Sequence, residues 1–285
     1  MTTIAQQSTT AERTWPMAAA LALFVSASSI ASAQSAECSS RLTATRFAMQ
    51  TAAAAAVTGI EYVDMTRQAN WHMAVEHDRS AIAADPSSHL HALGSYRMAR
   101  SLTASDCTSA QALHRAAWKG AAASLAIGAA KEVSDGWYNG FSPTDLAIDA
   151  VGAGYAVAQA YVPALRHVTP ILSVAPRALT TANGPTAALT DYANQTLWLS
   201  ANVRELLPVS IANVWPAAVR VSVGRRAYGH GAPSDFVIGM DLDAAQLPGS
   251  NPTWMRMKQM LHAVRLPGPA LVVSANGTRM VGLYW

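Results

Sequence analysis

Residues 110–152 read AQALHRAAWKGAAASLAIGAAKEVSDGWYNGFSPTDLAIDAVG, and this stretch decides how the N-terminal half is organised. Ala110 to Asp135 is Ala-rich and free of proline, which favours one long helix that stops at Gly136. Along it Gly120, Ser124 and Gly128 recur every fourth residue, a small-xxx-small stripe that admits a second helix at close range. Glu132 continues the stripe by one turn. The uninterrupted apolar part, Gly120 to Ala130, is too short to span a bilayer, so a packed or interfacial helix is expected. Ser142-Pro143-Thr144-Asp145 opens another helix, with Ser142 as N-cap, Pro143 at the first helical position and Asp145 closing a capping box. Asp149, Gly152, Ala156 and Gln159 then share one face of it.

Upstream, Ser39 to Glu61 is helix-prone and Tyr62 to Ala83 reads as a more polar helical stretch. Asp85-Pro86 starts a further helix to about Leu102, containing His89, His91 and Tyr96. After Pro170 the texture changes: Pro176, Gly184 and Pro185 punctuate a linker. Ala217 to Val223 and Asp235 to Leu242 read as strands, Trp254 to Val264 as a short helix. Ala270 to Ser274 and Arg279 to Trp285 flank Asn276-Gly277, a hairpin signal. The expected fold is mostly α with a C-terminal α+β part: a small-residue helical bundle over 34–175, then short antiparallel β-hairpins in an α+β region over 176–285.

Composition narrows the function classes. Hydrophobic residues make up 51% of the 285 and charged residues 13%, against about 25% charged in an ordinary soluble domain. A disordered or acidic protein is excluded. The net charge of +3 comes with no Lys/Arg cluster, so nucleic acid is not an expected partner. Arg13, the apolar stretch Met17 to Ile30 and Ala31-Ser32-Ala33 read as an export signal over 1–33, cleaved before Gln34, with retention as an anchor the alternative. A periplasmic or cell-envelope location follows, inner or outer membrane left open. The two cysteines, Cys38 and Cys107, are a disulfide candidate in such an oxidising compartment.

No familiar catalytic motif is present: no H-E-x-x-H, no G-x-S-x-G, no phosphate-binding loop. What stands out is a set of polar residues on otherwise apolar helices: Asp85 and His89, then Lys131, Glu132 and Asp135, then Asp145 and Asp149. Asp85 and Asp145 are explained by capping, Asp135 by loop exit and Lys131 by the helix C-terminus. His89, Glu132 and Asp149 have no such local reason and are the catalytic candidates, able to run acid/base chemistry or to bind a divalent metal. A buried, mutually satisfied network fixing helix register would use the same three residues. His89 and His91 cannot both face one point of a helix. Trp198, Trp215, Trp254, Tyr284 and Trp285 are either an interfacial belt or core.

Asp85-x-x-x-His89, Lys131-Glu132-x-x-Asp135-Gly136 and Gly140-Phe141-Ser142-x-x-Asp145-x-x-x-Asp149-x-x-Gly152 resemble the YfiM-like family of periplasmic lipoproteins, a domain of unknown function. The segments Asp191 to Asn202 and Leu266 to Leu271 are similar to its longer members, and residues 70–285 are covered in all. A fainter likeness links the helical half to VanZ-like membrane proteins. The chain departs from the YfiM-like pattern at Asp85-Pro86, where the family has Asp-Lys, and lacks a good lipidation cysteine. The resemblance implies an envelope location and a helical polar cluster; it brings no known activity. The resulting expectation is a membrane-associated envelope protein that binds membrane lipid or an envelope protein. The rival is a hydrolase or transferase on lipid headgroups or cell-wall precursors.

Overall fold

The computed structural model describes residues 43–62, 65–75, 86–103, 107, 109–179, 191–226, 228, 234–262 and 265–285. The segment 1–33 expected to be an export signal, Cys38 and Asp85 lie outside the described residues. Helix α1 spans Ala44–Glu61, α2 Pro86–Leu102, α3 Ala110–Asp135 and α4 Pro143–Tyr161. Their core is built largely of alanine: Ala99 from α2, Ala117 and Ala121 from α3, and Ala153, Ala156 and Ala160 from α4 surround Leu93, Tyr96 and Val157. Side chains this small let backbones nearly touch. A Cβ added at Gly120 would lie 2.6 Å from the Ala99 carbonyl oxygen, and one at Gly152 2.1 Å from that of Ala92. Ser124 Oγ, between the two stripe glycines, sits 3.0 Å from Ser95 Oγ and donates to the Ser95 carbonyl. The stripe therefore sets the α2–α3 register as its spacing foretells.

Among the described residues, three short α-helices and three 3-10 turns connect the strands of a single sheet: β1 Val168–Val174, β2 Gln195–Ala201, β3 Val219–Arg226, β4 Asp235–Leu242, β5 Gly268–Ser274 and β6 Gly277–Tyr284. All six are antiparallel and ordered as in the sequence. The fold is thus α+β with one continuous six-stranded meander, which corrects the expected mostly α bundle followed by short hairpins. β1 and β2 were the missing strands, and β1 lies within the range assigned to the bundle. Pro170 interrupts β1, and proline has no N–H for a ladder bond; β1 lies at the sheet edge, where that is tolerated. Leu172 of β1 and Leu197 of β2 face each other and pack against the helical core, joining the two layers.

Residues 65–75 also depart from expectation: they are extended where a helix was expected, and 76–83 lie outside the described residues. Their backbone bonds go to the α3–α4 loop instead. Gln68 N–H donates to Trp137, His72 N–H to Gly136 and Ala74 N–H to Phe141, while Phe141 N–H returns to His72. Trp71 anchors this strap by donating from Nε1 to the Val133 carbonyl at 3.0 Å. That indole explains Gly136: its φ of −52° needs no glycine, but a Cβ there would lie 1.8 Å from Trp71 Nε1.

One face of the sheet is covered and mixed, with Ile171, Trp198, Val237, Val272 and Tyr284 as its apolar core; the other meets the helices at Leu172 and Leu197 and is otherwise exposed and apolar. Facing inward are Ser200, Ser222, Arg220, Asp235 and Asp241, all buried, with Trp198. Trp198 donates to Ser173 Oγ and meets Tyr284 edge-on, so these two aromatics are core and no interfacial belt. Arg265, ahead of β5, enters under the sheet, 4.0 Å above the Trp198 ring, and donates to the carbonyls of Met240 and Tyr284. On the open side Leu199, Val223, Ile238, Leu271 and Met280 pair in register across β2 to β6 as one apolar row.

Candidate functional site

Where α2, α3 and α4 converge, one imidazole faces three carboxylates. His91 Nδ1 lies 3.4 Å from Asp149 Oδ1 and 3.8 Å from Glu132 Oε1, and its Nε2 lies 3.8 Å from Asp145 Oδ2. The glycines make this approach fit: a Cβ at Gly128 would sit 2.3 Å from Asp149 Oδ2. Glu132 has no exposed surface. Its Oε2 accepts the Ser142 N–H at 3.2 Å, while its Oε1 is buried with no hydrogen-bond partner. Ser142 caps α4 as expected, accepting from Asp145 N–H at 3.0 Å. The N–H that a capping box would direct to its third helical residue goes to Glu132 across the loop.

Beside this centre lies a cation network. Lys131 Nζ donates to Asp135 at 2.7 Å and stands 3.6 Å from Glu61 and 3.7 Å from Glu132. Asp135 also accepts from the Tyr62 hydroxyl, whose ring stacks on Tyr138. Asp135 is therefore a buried bridge between α1 and α3, and Lys131 is its partner, beyond the loop-exit and helix-end roles inferred for them. Burial pushes the Glu132 carboxyl up to about 7, with Lys131 and His91 pulling against it. Burial alone would lower the His91 imidazole, but its hydrogen bond to Asp149 and the charge of Asp145 hold it above its ordinary value. Burial would likewise lower Lys131, and Glu61 and Asp135 together raise it.

Of the sequence candidates, Glu132 and Asp149 meet here, with Asp145 and Lys131 at the margin. The imidazole that joins them is His91. His89 lies two residues earlier on α2, about 200° around the helix axis, and is half-buried. The signal for His91 was available in the stripe. As α3 climbs from Gly120 to Ser124, α2 descends from Ala99 to Ser95; one turn further brings Gly128 level with His91. Cys107 is disulfide-bonded. Gln159, the other polar residue on the α4 face, is structural: it accepts from Tyr96 and donates to the Leu165 and Val168 carbonyls.

No family model, curated protein or solved structure matches this chain. The site is therefore read from its own chemistry. An imidazole flanked by carboxylates on three rigid helices can exchange protons near neutral pH, and Glu132 with His91 supplies one group poised for each direction. A second buried polar set lies under the sheet, where Asp243 accepts from Arg220 at 2.5 Å and meets His262 Nδ1 at 2.8 Å. Burial would raise the Asp243 carboxyl, but His262 and Arg220 hold it below its ordinary value. Both Asp243 oxygens are engaged, by Arg220 and by His262 with the Ala245 N–H, which suits a structural set. Among the described residues no helix is long and apolar enough to cross a membrane.

Proposed function

We propose that this is an envelope protein that attaches to a lipid surface through the open face of its sheet. The observation that carries the reading is the row Leu199–Val223–Ile238–Leu271–Met280, with Phe236, Met240, Leu242 and Val273 on the same face. Met280 is 81% exposed, Phe236 49% and Ile238 41%. Apolar patches this continuous mark interaction surfaces, since each Å² removed from water contributes about 25 cal/mol. Hydrocarbon is the matching occupant, because the row offers no charge or hydrogen-bonding group to a protein partner. Its rim carries Trp285, 40% exposed, next to Leu283, an aromatic ring of the kind that favours headgroup depth. The export signal and the resemblance to envelope proteins agree with this reading.

The test is flotation of the full chain with phosphatidylethanolamine–phosphatidylglycerol vesicles, beside an Ile238→Asp, Leu271→Asp double variant. Vesicle binding lost in the variant supports the proposal. Equal flotation of both, or a self-associated wild type that ignores vesicles, overturns it. The His91 centre favours a second reading, a hydrolase or transferase working on headgroups or cell-wall precursors. In that reading His91 is the general base, and Glu132, which holds its proton to about 7, is the acid.

A further inference from the structure

The geometry points to His91, Glu132 and Asp145 as the ligands of one divalent metal ion, with Asp149 as the carboxylate that orients the imidazole. This rests on the second reading's substrate class, replaces the base and acid roles given there to His91 and Glu132 by metal ligation, and stands apart from the lipid-binding one. One ligand atom from each of the three lies within 4.8 Å of the others. Two atoms bound to one tetrahedral ion at roughly 2.1 Å are about 3.4 Å apart, so side-chain rotations that shorten the longest separation by about 1.4 Å close the set.

The independent sign of a ligand is Glu132 Oε1. It belongs to a side chain with no exposed surface and accepts no hydrogen bond, though the other oxygen of the same carboxylate does. A buried carboxylate oxygen without a partner is costly, and a cation in front of it removes that cost. Lys131 does not fill the role: it stands 3.7 Å away and is engaged at 2.7 Å with Asp135.

The imidazole is prepared in the manner of metal sites. Asp149 lies 3.4 Å from Nδ1 and holds the ring plane, while Glu132 Oε1 lies 3.8 Å from that nitrogen and Asp145 Oδ2 3.8 Å from Nε2, so a small ring rotation sets which nitrogen meets the ion. Second-shell carboxylates of this kind fix a ligand's ring plane and raise its basicity. Charge agrees: Glu61, Glu132, Asp135, Asp145 and Asp149 gather around Lys131 and one imidazole, a deficit of positive charge that a dication offsets. One nitrogen and two carboxylates suit Zn²⁺ or Mn²⁺ better than Ca²⁺, which takes oxygen ligands alone. Three protein ligands leave a position for water, the arrangement of hydrolytic sites.

The test is calorimetric titration of chelator-treated full-length protein with ZnCl₂ and separately with MnCl₂, checked by native mass spectrometry. The expected result is one ion per chain, with affinity lowered at least tenfold in Glu132→Gln and in Asp145→Asn. Glu132→Gln keeps an acceptor for the Ser142 N–H, so its fold is maintained; Asp145→Asn, on the more exposed side, is the second check. Asp149→Asn is expected to weaken binding by about 10- to 100-fold while leaving one ion per chain. Failure of the wild type to take up either ion at millimolar concentration overturns the proposal. So does uptake that Glu132→Gln and Asp145→Asn leave unchanged, which would place the ion elsewhere on the chain. Neither result touches the vesicle experiment.

Discussion

Two glycines on opposite faces of α4, Gly152 and Gly154, should respond oppositely to the same substitution. Gly154 has nothing within 4 Å of an added Cβ, whereas a Cβ at Gly152 would lie 2.1 Å from the Ala92 carbonyl oxygen and 2.8 Å from its carbon. Gly→Ala in a helix interior gains about 1 kcal/mol from propensity alone, so Gly154→Ala should be stabilising by about that amount. At Gly152 the obstacle is backbone, which cannot rotate away. Restoring an ordinary van der Waals separation parts α2 and α4 by about 1 Å, and overpacking of this kind costs about 1–3 kcal/mol, with the alanine contacts between the helices lost in addition. After the propensity gain, the two variants should differ by about 2–4 kcal/mol, or roughly 5–15 °C in Tm for a chain of this size. Urea titrations followed by far-ultraviolet circular dichroism would measure the gap. A Gly152→Ala protein as stable as Gly154→Ala would refute the claim that close backbone approach carries α4, and with it Asp145 and Asp149, to His91.

Glu132 holds its proton to about 7 in the fold against 4.5 in the unfolded chain, so between these pH values the native state binds more protons and stability falls as pH rises. For metal-free protein the fall is about 3 kcal/mol at most, and the raised His91 adds in the same direction; Glu132→Gln should flatten the profile of Tm between pH 4.5 and 7.5, and an unchanged slope would sink the assignment. Arg265→Ala removes the buried cation that holds β4 and β6 through their carbonyls and leaves Arg220 as the remaining opposite charge near Asp241, for a predicted loss of about 3 kcal/mol by denaturant titration. A loss below 1 kcal/mol would mean that the guanidinium is not what closes the sheet.

Much of the helical layer was legible because close packing leaves a simple trace. The boundaries of α2 and α3, the start of α4 at the Ser142 cap and the stripe at Gly120, Ser124 and Gly128 all follow from local rules, and the structure reproduces them. Two carboxylates of the site were legible for the same reason: nothing local explained them. His91 was missed because Asp85 and His89 form a tidy one-turn pair, and the pair drew attention from the stripe register that selects the other histidine. Asp135 and Lys131 looked explained by helix-end effects, yet their role depends on Tyr62 and Glu61 from a distant element, and no local pattern reports that. The strap at 65–75 has the composition of a helix and is extended because the α3–α4 loop takes its backbone bonds. In the sheet, β4 was read to the residue, while β1 was hidden by Pro170 and by its place at the edge.

The apolar open face of the sheet and the polar groups within its covered one have a consequence for how this protein tolerates change. In an ordinary half-buried sheet, solvent-facing positions accept nearly anything and covered ones accept only apolar residues. Here the covered Ser200, Ser222 and Asp241 are tied to polar partners, while the open positions carry Leu, Ile, Phe and Met. Purified chains should therefore gain solubility from polar replacements at Ile238, Leu271 or Met280 and be harmed by Ser→Val on the inside. In a cell that needs the attached form, those same open positions would be the guarded ones. A comparison of fitness with foldability, position by position along β3 to β6, would outline the footprint of whatever the sheet rests on.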